Sequence, residues 1–284
     1  MGLESAVVLS ALHPQVARDY LSESLAGPQT IAPLPRVCAQ LAQLTAQEAT
    51  DAARLAKLIQ SDPSLAGELM RVANSPALRP RSAIVSLQQA VSWLGVAEVR
   101  NIAMAVMLRG EVFVAPGHEP ESEDLWREAS LAGLWAKEIA RERRKQVESA
   151  FLAALMHRTG AALALKILSR FELEKRTVMD ARTFANLVVE FEPSFGRLLM
   201  DNWLLPKDVQ AGASDWRNYR ESEHSDLAGT VHAAHLLATH TMHPQLLTED
   251  VVIESPVFEK LGVFPDARQR MLAKRDQLRD LAGM

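Results

Sequence analysis

Residues 58–75 read LIQSDPSLAGELMRVANS, and the middle of this stretch decides the fold. Asp62 followed by Pro63 marks a helix start. A carboxylate at that place can accept from the free N–H groups of a first turn, and proline costs nothing there because its missing N–H would have no partner anyway. Leu65, Leu69 and Val72 then recur at helical spacing, and Asn74 closes the segment. The pattern has the period of a helix with one buried face, and no strand alternation.

The same grammar extends in both directions. Upstream, Pro33 and Pro35 lead into VCAQLAQL, and Thr50 or Asp51 stands before Leu55, Leu58 and Ile59, so each start predicts a helix. Downstream, residues 75–85 carry Pro76, Arg79, Pro80 and Arg81 and read as a loop. Ser86 with Gln89 has capping-box spacing, and the helix behind it stops at Gly95. A helix over about 97–108 follows, then a stretch with Pro116, Gly117 and Pro120. That stretch, residues 110–121, reads as a linker between two helical halves. The second half predicts helices over about 124–141, two more meeting near Gly160, then 181–190, 194–203, 207–213, 225–241 and 266–281. Val251, Val252 and Ile253 are the best strand candidate, and they are few. The fold class is therefore all-α.

Bulk properties exclude several functions. The chain has 284 residues and a formal net charge of −4, which gives no general attraction to nucleic acid or anionic membrane. The single cysteine, Cys38, rules out an internal disulfide framework and suits a reducing compartment. Glu4 stands where a signal peptide needs basic residues, and no run approaches the roughly 18 apolar residues of a membrane span. A cytoplasmic protein is the expectation. Neither GxGxxG nor GxxxxGK[ST] nor GxSxG occurs.

Three stretches together resemble the HDOD family, signalling domains related to the HD phosphohydrolases. The first is the Asp-Pro helix with its closing Asn-Ser at residues 58–75. The second is VSLQQAVSWLGVAEVRNIAM at 85–104. The third is LWREASLAGLWAKEIA at 125–140 with AFLAALMHRTGAALAL at 150–165, followed by WLLP at 203–206. Each motif is common alone; their order and spacing over roughly residues 30–240 make the likeness specific. The resemblance implies a compact bundle of two helical lobes. It divides the chain into an N-terminal helical extension (1–27), an HDOD domain (28–245) and a C-terminal extension with a terminal helix (246–284). Within the domain, one lobe covers about 28–110 and the HD-like lobe about 122–245. It also implies a role in bacterial signalling.

HD phosphohydrolases hold one or two divalent metals on a His, a His-Asp pair and a later Asp, and the metal sharpens a water nucleophile. On the resemblance, His157 of Leu155-Met156-His157-Arg158-Thr159-Gly160 matches the histidine of the pair, while Arg158 stands in place of its aspartate. A cation there supplies no ligand and repels a metal. No histidine lies between His118 and His157; Glu128 and Ala129 occupy the upstream region. The final position falls on a helix with His232 and His235. The expectation is a protein without catalytic residues, metal or cofactor, with His157 a buried histidine satisfied by backbone. Glu128, His157 and His235 are the residues from which an altered metal site could be built.

Other groups are weaker. His232, His235, His240 and His243 spread around a helix and read as surface residues. Arg141, Arg143, Arg144 and Lys145 form a basic turn at a helix end, where cations suit the dipole. Trp93, Trp126, Trp135 and Trp203 fall in apolar patterns and read as core. Arg79 and Arg81 are loop candidates for contact with a partner or anion. The leading expectation is a regulatory protein binding a signalling protein or small ligand in a groove between its lobes, with the loop 75–85 and the linker 110–121 sensitive to that binding. The alternatives are a metal-dependent phosphohydrolase with altered ligands and a nucleotide or nucleic-acid binder using the arginines.

Overall fold

The Asp62–Pro63 start folds as its chemistry dictates. In the computed structural model, Asp62 accepts a hydrogen bond from the Leu65 N–H at 3.0 Å, and Pro63 opens the helix. The structure describes residues 14–27, 39–40, 52–76, 78, 82–203 and 205–283. The readings of VCAQLAQL, Cys38, Thr50, Asp51, Arg79 and Arg81 fall wholly or largely outside the described residues.

Among the described residues every regular element is helical. The first is α1 (Pro14–Ala26), followed by α2 (Ala52–Gln60), α3 (Pro63–Ala73), α4 (Leu87–Leu94) and α5 (Val96–Glu111). Helices α2 to α5 pack on one another as a first lobe. Asn74 ties it together: its side chain accepts from the Ile84 N–H at 2.7 Å and donates to Ile84 O and Met70 O, each at 2.9 Å. Ser86 accepts from Gln89 N–H, while Gln89 Oε1 reaches back to Val85 N–H at 2.8 Å, one residue earlier than in a standard capping box. Gly95 takes φ +83°, a left-handed value that glycine tolerates best, and lets the chain turn sharply between α4 and α5.

The second lobe contains α6 (Glu119–Glu142), α7 (Val147–Met156), α8 (Thr159–Lys175), α9 (Ala181–Asn202), α10 (Lys207–Ser214), a 3₁₀ turn (Trp216–Asn218) and α11 (Ser225–Met242). Its floor is a backbone-to-backbone crossing of α8 and α9. A Cβ on Gly160 would lie 2.8 Å from Gly196 Cα and closer still to Glu192 O, so only glycine fits. The chain ends with α12 (Glu249–Ile253), α13 (Pro256–Lys260), α14 (Pro265–Leu272) and α15 (Arg275–Leu281).

Several expectations change. Residues 251–253 form a one-turn helix, with Val252 buried and Val251 57% exposed, so the apolar run serves one inward contact and no strand. Residues 181–202 are one helix through Pro193, because Phe191, Phe195 and Leu199 bury their faces on both sides of the proline. That burial offsets the roughly 3 kcal/mol of an interior proline. Residues 266–281 are two helices, broken where Lys274 reaches the buried carboxylate of Glu138. The linker shortens to residues 112–118, since α6 begins at Glu119. Trp93 is 47% exposed and is no core residue, whereas Trp126, Trp135 and Trp203 are buried.

Both extensions pack on the second lobe. Arg18 of α1 pairs with Glu190 at 2.7 Å, and Tyr20 stacks near Phe171 with ring centroids 4.9 Å apart. The Arg143 side chain is largely enclosed: it donates to Leu261 O at 2.7 Å and to Thr230 at 3.1 Å, and it pairs with Asp226. This corrects its reading as part of a solvated basic turn. Arg141 likewise pairs with Glu138. One helical run, Val147–Lys175, is long and apolar enough to cross a membrane, but 83% of its most apolar window is buried within the protein.

Candidate functional site

The α7–α8 junction sets the site. His157 ends α7 and Arg158 precedes α8, so their side chains leave the same turn toward α6, α9 and α11. Helix α6 supplies Glu128, α11 supplies His235, and α9 supplies Glu192. The three residues singled out from sequence converge: one ligand atom each of Glu128, His157 and His235 lies within 4.8 Å of the others.

The hydrogen bonds assign the protons. His157 Nδ1 lies 2.5 Å from Ala154 O, and a carbonyl only accepts, so Nδ1 carries the hydrogen and Nε2 is left with a lone pair. His235 Nδ1 lies 2.7 Å from Glu128 Oε1 and 3.2 Å from His157 Nε2. Both neighbours accept, so a single Nδ1–H of His235 serves the carboxylate chiefly and His157 secondarily. Trp216 closes this side, with ring centroids 4.3 Å from His235 and 5.1 Å from His157.

Arg158 occupies the other side. Its Nε lies 3.2 Å from Glu128 Oε2, an ion pair without hydrogen-bond alignment, and its Nη1 donates to Glu192 Oε1. Arg217 donates to Glu192 Oε2 at 2.6 Å, and its guanidinium lies 4.1 Å over the Trp216 ring. The result is a chain of alternating charge, Arg217–Glu192–Arg158–Glu128, ending on two imidazoles. Glu192 and Arg158 side chains are only 3% and 12% exposed.

Burial and partners set the titration. Burial pushes the Glu128 carboxyl up, but Arg158 and the His235 hydrogen bond outweigh it and hold it well below the usual carboxylate range. Burial, helped by His235, drives His157 well below an ordinary histidine, so it is neutral. Burial opposes the charge on Arg158, and the two glutamates restore and strengthen it. His232 is lowered, first by burial and then by His235.

Two cavities flank the cluster. One of about 320 Å³ opens over His157, Glu192, Trp216 and Arg217. The other, of about 380 Å³, reaches Glu128 and Arg158 from the side of Phe184 and His118. His118 stacks on Phe184 at 4.1 Å and pairs with Glu172 at 2.7 Å.

Sequence reasoning missed Glu192, Trp216 and Arg217. An acid placed between Phe191 and Pro193 on the apolar side of the helix is the available sign for Glu192. The surface reading of the histidine group is also corrected. His240 is buried with Nδ1 2.8 Å from Leu247 O, and His232 is half-buried against Tyr219, ring centroids 4.8 Å apart.

A two-lobed helical bundle with an HD-like cluster at a helix junction defines a relative of the HD proteins. The HDOD domain family matches residues 31–216, and the chain belongs to that family. A protein of Shewanella amazonensis SB2B, provisionally named a phosphohydrolase, superposes with TM-score 0.70 at 18% identity, covering 93% of this chain and 97% of that one. An HDOD domain protein of unknown function from Geobacter sulfurreducens gives TM-score 0.73 at 15% identity, covering 95% and 98%. A protein of Marinobacter aquaeolei VT8, provisionally assigned to signal transduction, gives 0.65 at 21% identity, covering 98% and 68%. These likenesses establish the fold. No curated protein matches the chain.

Proposed function

We propose that this protein is a non-catalytic regulatory member of the HDOD family that works by binding a partner protein or small ligand. The observation that carries the reading is Arg158. It stands among the side chains where active HD enzymes gather metal, and it is already paired with both nearby carboxylates. A divalent ion would have to displace the His235 Nδ1 proton and sit beside a fixed guanidinium. Glu128 is the one carboxylate in the donor set, whereas activating water and steadying phosphate charge calls for several anionic ligands at one point. The residues present do not fit a hydrolytic metal. Arg158 instead neutralises the two buried carboxylates and joins α6, α8 and α9, which leaves the site a structural weld. The pairing of Arg141 and enclosure of Arg143 likewise weigh against nucleic-acid binding through that run.

The test is elemental analysis of protein purified without chelator and then refilled with manganese, followed by turnover assays on phosphoesters and cyclic dinucleotides. Metal far below one per chain with no turnover is expected. A second reading, an altered metal site on Glu128, His157 and His235, is favoured by the convergence of their ligand atoms. Stoichiometric manganese that disappears in His157→Ala would establish it and overturn the first.

A further inference from the structure

A cavity lies away from the His157 cluster, between the lobes. It has a volume of about 680 Å³, within the range of small-molecule sites. Helices α3 and α5 of the first lobe form one wall, α6 and α7 of the second form the other, and residues 280–283 close one end. Trp126 and Phe113, edge to face with ring centroids 5.5 Å apart, and Phe151 supply an aromatic lining.

Two features define what this space would take. First, Asn101 lines it at 7% exposure, and its side-chain amide has no hydrogen-bond partner among the described residues. Its Nδ2 and Oδ1 face the open cavity and offer one donor group and one acceptor to whatever fills it. The Ser130 hydroxyl across the cavity also lacks a partner among the described residues. Second, among the described residues the cations of the lining are already paired. Arg71 is held by Glu68 at 2.8 Å and Arg109 by Glu123 at 3.0 Å, Glu98 is itself paired with Lys137, and Asp280 adds negative charge. An anionic ligand would meet repulsion, and an uncharged one would not.

We infer that the interlobe cavity is a binding site for an uncharged, ring-bearing small molecule with an amide-like edge, stacked on the aromatic wall and hydrogen-bonded to Asn101. The inference rests on the regulatory reading, to which it adds the place where an input is received. A ligand seated there touches both lobes, so its binding biases their arrangement.

The probe is 2-quinolinone, an uncharged bicyclic lactam, with 2-naphthoate as an anionic ring system of similar size. Binding is followed by saturation-transfer NMR and titration of the full chain. Wild type is expected to bind the lactam at least about tenfold tighter than the carboxylate, and Asn101→Leu to lose about tenfold or more in lactam affinity. Ala105→Phe, which fills the cavity from α5, is expected to abolish binding with an unchanged circular dichroism spectrum. Should either variant fail to fold, the Asn101 side-chain amide resonances of wild type must shift on lactam titration. Absence of lactam binding, equal affinity for the carboxylate, unaltered binding by the folded variants, or unmoved Asn101 resonances each overturn the inference. None of these results bears on metal content at His157, so failure here and failure of the regulatory reading are distinguishable.

Discussion

Arg158 is the residue on which the cluster turns. Removing one member of a buried pair strands the others, which costs about 3–5 kcal/mol, whereas removing matched partners together costs far less. Arg158→Met should therefore destabilise by about that amount, and Arg158→Met with Glu128→Gln and Glu192→Gln should recover much of it. Urea unfolding of the two variants checks this; equal losses would mean the guanidinium is not the neutralising group. His157 makes a second case, in pH. It stays neutral in the fold, but takes a proton once unfolded, at about pH 6.5. The unfolded chain then binds more protons, so this contribution to stability is complete above that pH and is lost as pH falls. Glu128, held low in the fold, acts in the same direction below about pH 4.3. Between pH 7 and 5.5 stability should drop, by up to about 1.4 kcal/mol per pH unit from His157. His157→Asn should flatten that slope, and denaturation midpoints with the same pH dependence in both proteins would refute the assignment. The cluster was half legible in the sequence. His157, Glu128 and His235 stand out because the motif positions mark them. Glu192 and Arg217 lie 34 and 59 residues beyond Arg158 and meet it only through the fold.

At the scale of elements, the legible parts are those decided locally. Asp62-Pro63, Ser86 with Gln89 and Gly95 each carry their own capping chemistry within four residues, and each folds accordingly. The illegible parts depend on distant partners. Pro193 sits inside a helix because Glu192 O and Gly196 rest against Gly160, and nothing near Pro193 in the chain announces that. Gly160→Ala should accordingly force α8 and α9 apart and destabilise by at least the 1–3 kcal/mol typical of overpacking, roughly, with insoluble protein as the extreme. Gly196→Ala, whose nearest foreign atom would be Gly160 Cα at 3.9 Å, should be far milder. Comparable losses in the two variants, read from thermal unfolding, would deny the crossing its asymmetry. Asn74 teaches the same lesson in reverse. It reads as a simple helix end, yet it makes three hydrogen bonds that pin the chain before α4, so Asn74→Ala should cost about 2 kcal/mol in the same assay.

Across the whole molecule, the C-terminal residues behave as part of the second lobe. Val252, Val257, Phe258 and Val263 are nearly inaccessible, and α13 packs on α11. Arg143 reaches Leu261 O, Lys274 reaches Glu138, and Arg268 donates to Val263 O at 2.7 Å and Ile253 O at 2.6 Å. A segment bound only by surface charges would fray independently, because exposed pairs contribute little. A segment that buries several large apolar side chains should open only with the lobe beneath it. Trypsin has targets there at Lys260, Arg268, Arg270, Lys274 and Arg275. Under native conditions, cleavage between residues 253 and 270 should proceed no faster than loss of the far-ultraviolet helical signal in matched denaturant. Arg143→Met should speed both together. A clipped species lacking the last two helices, accumulating with native helicity and an unchanged melting temperature, would show that this region is an appendage and that its burial does not couple it to the lobe.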